Sequence, residues 1–433
     1  MKTTIKRKDY GQVVALKTPK HKLPRKPNIF WRGLIRFLTM FGMAGTRFHY
    51  EAEGLEELKK EPCLILMNHS CFLDMQIAHR ILFPKHFCIV STYDGLIGMG
   101  GFMEWLMRSI GCIPTQKFVT DMTLIQDMTY ALKTLKTSVL MYPEAGYSFD
   151  GTATTLPRKL GILLKKLDVP VIMIESFGAY SRNPLYNELQ VRKNVPVCAK
   201  ARCLFTREQV RQLPVSTLTQ GVEDAFAFDQ FRWQQEQGIV ISDDFRADGL
   251  HRILYKCADC GAEGQMEGKG IHLTCHACGK KYVLKEDGSL EATEGETQFS
   301  HIPDYYEWER GQVRAEILEG KYRMETDVEI GMLVDFKAIY MVGEGHLTHT
   351  AEGFTLTGCD GRLHYTQKPQ VSHSLNADFY FYEIGDVIGI GNAQCLYYCF
   401  PKTDISVAKT RLATEELYKL SKAKRLSTES VTV

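Results

Sequence analysis

After residue 60 the chain alternates short, continuous apolar runs with longer stretches whose apolar residues recur at helical spacing. Cys63–Met67 (CLILM), Phe87–Val90, Ser138–Met141 (SVLM) and Val169–Ile174 (VPVIMI) read as strands, since an unbroken apolar run suits a strand covered on both faces. Residues 72–82, 124–135 and 159–167 read as helices between them. Strands spaced by helices predict an α/β sheet with helices on its faces.

Both ends of the chain depart from that rhythm. Residues 1–27 are basic, contain Pro19, Pro24 and Pro27, and read as a flexible arm. Residues 28–45 read as a helix: Phe30, Trp31, Leu34, Ile35, Phe37, Leu38 and Phe41 form an apolar band, with Arg32 and Arg36 one turn apart beside it. Such a helix suits a membrane interface, where aromatic rings enter the headgroup boundary and arginines meet phosphates, and equally suits packing on a domain behind it. Near residue 250 the pattern changes. Residues 251–290 form a small module of cysteines and glycines, and 291–300 (EATEGETQFS) a polar linker. From about 320 to 400, β-rich runs broken by glycine turns predict an all-β unit. With a helix at about 407–420 it makes a domain over 300–420, and 421–433 read as a disordered tail.

With 433 residues, 44% of them hydrophobic, the chain has ample core for two or three domains. The net charge of +2 conceals an asymmetry. Residues 1–50 hold twelve Lys or Arg against Asp9, a net of +11, so the rest carries +2 − 11 = −9. A basic end on an acidic protein points to an anionic partner, lipid or nucleic acid. The apolar stretch 29–45 is broken by two arginines and is shorter than the roughly 20 residues that span a bilayer. No apolar core with a small-residue cleavage site follows the basic start. The thirteen cysteines, nine of them scattered singly, suit reduced thiols. The expected location is cytoplasmic, peripheral on the inner face of a membrane.

Chemistry concentrates in Asn68-His69-Ser70-Cys71-Phe72-Leu73-Asp74, which follows the CLILM strand and opens the next helix. Open α/β sheets place their active residues at the carboxyl ends of strands. A histidine at a helix N-terminus is kept neutral by the dipole, and an Asp five residues on can orient it. Such a pair takes a proton from a hydroxyl, although the same spacing also fits a capping histidine beside an unrelated acid. Cys71 as a thiol nucleophile is a further reading, less favoured than an ordinary residue of this segment.

Three further segments fit one family in order. Gly111-Cys112-Ile113-Pro114-Thr115-Gln116-Lys117, Tyr142-Pro143-Glu144-Ala145-Gly146 and Val169-Pro170-Val171-Ile172 follow the His69–Asp74 block. Over about residues 28–245 the chain resembles the glycerolipid acyltransferases, the group that contains lysophosphatidate acyltransferase. The resemblance implies a mixed sheet flanked by helices. It implies His69 as general base, held by Asp74, and substrate contacts from Asn68, Lys117, Glu144 and Gly146. The acyl donor would be acyl-CoA or acyl carrier protein. The third block departs from the family, reading Ala145-Gly146-Tyr147 where Gly-Thr-Arg is usual, and Lys117 replaces the more usual arginine of the second. Two phosphate-gripping arginines are thus absent or weakened, and the acceptor headgroup stays open.

Cys257, Cys260, Cys275 and Cys278 form two CxxC knuckles, each followed by glycine. Four thiolates at this spacing hold a structural Zn²⁺ in a zinc ribbon and leave no open position for catalysis. The module lacks a basic stripe, which argues against nucleic acid and for protein docking. The sequence therefore predicts a membrane-associated O-acyltransferase of phospholipid biosynthesis, acting on a lysophospholipid or related lipid. The alternative is a catalytically weak or inactive membrane adaptor that binds a partner through its ribbon.

Overall fold

The structure, a computed structural model, describes residues 4–429 except 44, 94–96, 98–99 and 120. A seven-stranded sheet lies in the first half. Its order is His49–Glu53, Cys198–Phe205, Val171–Phe177, Leu64–Met67, Ser138–Met141, Phe87–Thr92, Cys112–Thr115. All neighbours are parallel except the second and third, so the sheet is mixed. The central strand Leu64–Met67 is buried along its whole length, as a parallel strand covered on both faces must be. Ile65, Leu140 and Ile172 point into one apolar layer with helix Leu73–Leu82; Leu64, Val139 and Val171 point into the opposite layer with Met122–Lys133 and Leu160–Leu167. Asp121 caps the helix Met122–Lys133 by accepting from the Thr123 and Leu124 N–H groups, a contact worth about 1 kcal/mol.

The cysteine module is a four-stranded antiparallel sheet running from Met266 to Ala292. Beyond it the helix Ile302–Leu318 precedes a large β-sheet. Its path is Leu363–Gln367, Gly353–Gly358, Ile339–Thr350, Met324–Leu333, Leu396–Pro401, Gly385–Gly391, Asn376–Phe381. The final helix, Val407–Glu429, packs on Ile302–Leu318 and on this sheet.

Four expectations are corrected. The basic arm 1–27 is not a loose tail: Ile5–Arg7 pairs in parallel with Ile339–Thr350, Asp9 bonds Arg362, and His21 bonds the buried Asp127. Lys22 meets Glu104, while Arg108 donates to the Lys22 and Leu23 carbonyls. The tail beyond 420 continues as helix to Glu429, and residues 430–433 lie outside the described residues. The C-terminal unit is not all-β: the amphipathic signal of Ile302–Leu318 is weak because the polar Glu309 and the tyrosines Tyr305 and Tyr306 are buried along with Ile302, Val313 and Ile317. Nor is the ribbon a bead on a linker. One core joins its Leu273 and Tyr282 to Tyr305 and Ile330 of the C-terminal unit and to Phe149 and Tyr180 beside the seven-stranded sheet.

Candidate active site

Three adjacent parallel strands end together, and each delivers part of the site from its carboxyl end. Leu64–Met67 leads into His69, Ser138–Met141 into Tyr142 and Glu144, and Val171–Phe177 carries Ser176.

His69 Nδ1 lies 3.1 Å from Asp74 Oδ2. The same carboxylate oxygen accepts from the backbone N–H of Ser70 at 2.6 Å and of Cys71 at 3.0 Å, and Oδ1 accepts from Ser176 Oγ at 3.0 Å. Asp74 is fully buried, so these donors replace the water it has lost. With Nδ1 committed to Asp74, Nε2 is the nitrogen left for a substrate. The His69 side chain keeps 20% of its surface exposed while Asp74 keeps none. Tyr142 stacks on the imidazole at 3.9 Å between centroids and 15° between planes, and Tyr147 meets it edge-on at 4.5 Å. Two aromatic rings thus fix the imidazole plane.

The backbone of His69 is pinned as firmly as its ring. Its N–H donates to Glu144 Oε2 at 2.9 Å, and its carbonyl accepts from the Ser148 N–H at 2.9 Å. Glu144 Oε1 accepts from the Thr154 N–H at 2.9 Å. Glu144 is fully buried, and burial raises its carboxyl to about 8 despite these donors and the nearby Arg411. It ties loop to loop, and neither oxygen is turned to solvent. Asn68 has the same character. Its amide oxygen accepts from Ser176 N at 2.7 Å and its NH₂ donates to the Ser176 carbonyl at 3.0 Å, all of it buried. The geometry therefore makes Asn68 and Glu144 braces, in place of the expected substrate contacts.

Gly146 lies against Phe118, whose ring would be 3.4 Å from a Cβ at that position. This contact brings the second block to the third, with half-buried Lys117 directly preceding Phe118. Cys71 is buried, its Sγ faces the Ala179 carbonyl at 3.6 Å, and burial pushes the thiol well above its usual range, so it is no nucleophile.

Sequence reasoning missed Ser176, Thr154 and Arg411. Ser176 follows the fourth block and reads only as a strand residue. Arg411 lies on the last helix and has no local signal at all.

The four ribbon cysteines place their sulfurs within 4.8 Å of one another, with Cys257–Cys278 and Cys260–Cys275 each at 3.8 Å. A tetrahedron of metal–sulfur bonds about 2.3 Å long has edges of about 3.8 Å, so the donor set fits Zn²⁺. Gly261 and Gly279 turn at φ of +75° and +78°, which lets each knuckle fold back on its first cysteine.

An apolar surface forms elsewhere. On the helix Ile29–Gly42, Ile29, Phe30, Phe37 and Leu38 are exposed, and Trp31 meets Trp105 of the helix Gly100–Ser109 at 5.7 Å. Phe102 of that second helix is 71% exposed. Among the described residues no helix is long and apolar enough to cross a membrane.

Residues 49–174 match the family model described as Acyltransferase. Among solved structures the chain is similar to 1-acyl-sn-glycerophosphate (LPA) acyltransferase, PlsC, from Thermotoga maritima, at 15% identity and TM-score 0.34, over 45% of this chain and 78% of that one. No curated protein sequence matches the chain.

Proposed function

We propose that this chain, which matches the acyltransferase family model over residues 49–174, moves a fatty acyl group from an acyl-CoA or acyl carrier protein thioester to a hydroxyl of a lysophospholipid or related lipid acceptor. The observation that carries the reading is the His69–Asp74 pair at 3.1 Å, with the acid sealed and the imidazole reaching solvent.

His69 Nε2 takes the acceptor hydroxyl proton as the oxygen attacks the thioester carbonyl carbon. The tetrahedral intermediate collapses, the carbon–sulfur bond breaks, and the imidazolium returns its proton to the departing thiolate. No covalent enzyme intermediate is needed. Asp74 sets the tautomer and stabilises the imidazolium. The face of Tyr142, stacked on the ring, adds attraction for that transient cation. Glu144 and Asn68 hold the loops in place, which matters because a misplacement near 1 Å costs about a hundredfold in rate. Lys117, beside Phe118, would supply the cation that meets an acceptor phosphate.

The exposed apolar faces of helices Ile29–Gly42 and Gly100–Ser109 support docking on a lipid surface, while Arg32 and Arg36 on the first are engaged with the Pro84 carbonyl and the Phe83 ring. Cys257, Cys260, Cys275 and Cys278 would hold a structural Zn²⁺, which supplies folding free energy to the ribbon.

The test is thiol release from long-chain acyl-CoA and acyl carrier protein with a panel of lysolipids, comparing the protein with His69→Ala. The reading expects an acyl product that the variant does not form. Equal product from both, or none with any acceptor, overturns it.

A further inference from the structure

The loop that pins His69 is itself held from the far end of the chain. Arg411, on the helix Val407–Glu429, donates to the Tyr147 carbonyl at 3.2 Å and to Thr154 Oγ1 at 2.6 Å. Its guanidinium lies 3.9 Å from the centroid of the Phe149 ring. Arg411 and Tyr147 are 264 residues apart in sequence. Thr154 is gripped at two points: its hydroxyl by Arg411, and its N–H by Glu144, the acid that also holds the His69 N–H. The ring of Tyr147, whose backbone Arg411 fixes, is the one set edge-on to the imidazole. Two short chains of contact thus run from one guanidinium to His69, one through backbone and one through an aromatic ring.

Arg411 is in turn locked. Glu415 meets it at 3.3 Å and also accepts from Arg310 at 2.8 Å, Ser374 at 2.6 Å and Thr155 at 3.0 Å. Arg411 and Glu415 are both buried. A buried, fully bonded guanidinium of this kind cannot turn to grip a substrate phosphate; its fixed fork is suited to holding backbone and hydroxyl oxygens in one geometry. The neighbouring contacts repeat the pattern. Phe379 packs on Phe149 at 4.8 Å, and the Tyr418 hydroxyl accepts from the Arg158 N–H at 3.1 Å. Residues 147 to 158, which directly follow the third block, are therefore held by the C-terminal unit at Tyr147, Phe149, Thr154, Thr155 and Arg158.

We propose that Arg411 is a positioning residue for acyl transfer, setting the loop of residues 144–154 and through it the orientation of His69, so that the C-terminal helix is part of the catalytic apparatus. The proposal rests on His69 as the base.

Its test uses the full-length protein and the variants Arg411→Gln, Arg411→Lys and Thr154→Val, with Arg314→Gln as control. Arg314 meets Glu416 on the same helix from its outer side, half exposed. Two readouts are taken. The first is kcat and KM with long-chain acyl-CoA and the acceptor from the lysolipid panel. The second is the imidazole NMR resonance of His69, assigned by its loss in His69→Ala, which needs no acceptor. Arg411→Gln should lower kcat by about tenfold to a hundredfold with KM for acyl-CoA within about twofold, and should move the His69 resonance. Thr154→Val, which removes one methyl-sized hydroxyl contact and little else, should move both in the same direction by less. Arg411→Lys should recover part of each, and Arg314→Gln neither. If Arg411→Gln does not fold, Thr154→Val and Arg411→Lys decide. Folded variants with the kcat and His69 resonance of the unaltered protein overturn the proposal. Activity that survives His69→Ala instead overturns the reading of the base.

Discussion

Asp74 does three jobs with one carboxylate: it orients His69, accepts two loop N–H groups, and receives the Ser176 hydroxyl. Asp74→Asn keeps the size but turns one acceptor into a donor facing N–H groups, and the imidazole loses the partner that fixes its tautomer. We expect kcat to fall by about a hundredfold to ten-thousandfold, with the KM for acyl thioester nearly unchanged, in steady-state kinetics. A second expectation concerns Ala145, which holds a left-handed φ of +56°, a conformation that favours glycine. A side chain there costs about 1–2 kcal/mol of strain, while glycine costs about 0.4–1 kcal/mol through the freer unfolded chain. Ala145→Gly should therefore leave the melting temperature unchanged or raise it slightly; a clear drop would mean that the methyl packs more than it strains. The histidine and its acid were legible from sequence because they sit in one short segment after an obvious strand. The roles of Asn68 and Glu144 were not: a buried brace and a substrate contact look alike until the partners of each oxygen are known.

At the scale of elements, the strands of the seven-stranded sheet declared themselves through continuous apolar runs, to within a few residues at each end. The edge strand His49–Glu53 did not, because it is exposed along its whole length; nor did its neighbour Cys198–Phe205, along which exposed and buried positions mix, nor the short strand Cys112–Thr115 at the other edge. The clustering of the four cysteines was legible from spacing alone, since two CxxC pairs at this separation suit one shared donor set. It also yields a third expectation. The ribbon's strands are short, so a bound metal should add to the support that the shared core gives its fold. Chelator at neutral pH should lower the melting temperature in a way that added Zn²⁺ reverses, and Cys275→Ser should show the lowered value without responding to either. A chelator-insensitive protein would exclude a bound structural metal. The aromatic helix Ile29–Gly42 gives a fourth expectation. Removing the exposed rings with Phe30→Ser and Phe37→Ser should cut binding to vesicles of anionic phospholipid by about tenfold or more in a flotation assay, with the fold intact.

The whole molecule was the least legible, because what joins its parts is long-range and polar. The arm at residues 1–27 carries the charge pattern of a solvated tail, yet it runs as a strand beside Ile339–Thr350 and is stapled by Asp9–Arg362 and His21–Asp127. Nothing within thirty residues of either member of such a pair announces the other. The clasp of the last helix on the loop after the third block has the same origin, and its hub is titratable. Glu415 is buried, but Arg310, Arg411 and Ser374 hold its carboxyl down to about 2 from the usual 4.5. A carboxyl lowered in the folded state stabilises above its unfolded pKa, and that contribution is lost as pH falls from about 4.5 towards 2. The shift corresponds to about 3 kcal/mol at neutral pH. Glu415→Gln removes the titrating group while keeping a side chain of the same size. The gap in melting temperature between the unaltered protein and this variant should be widest near pH 7, shrink through pH 4, and close near pH 2. A gap that stayed constant across that range would mean that Glu415 holds the helix to the catalytic loop by shape and hydrogen bonding alone, with its charge contributing nothing.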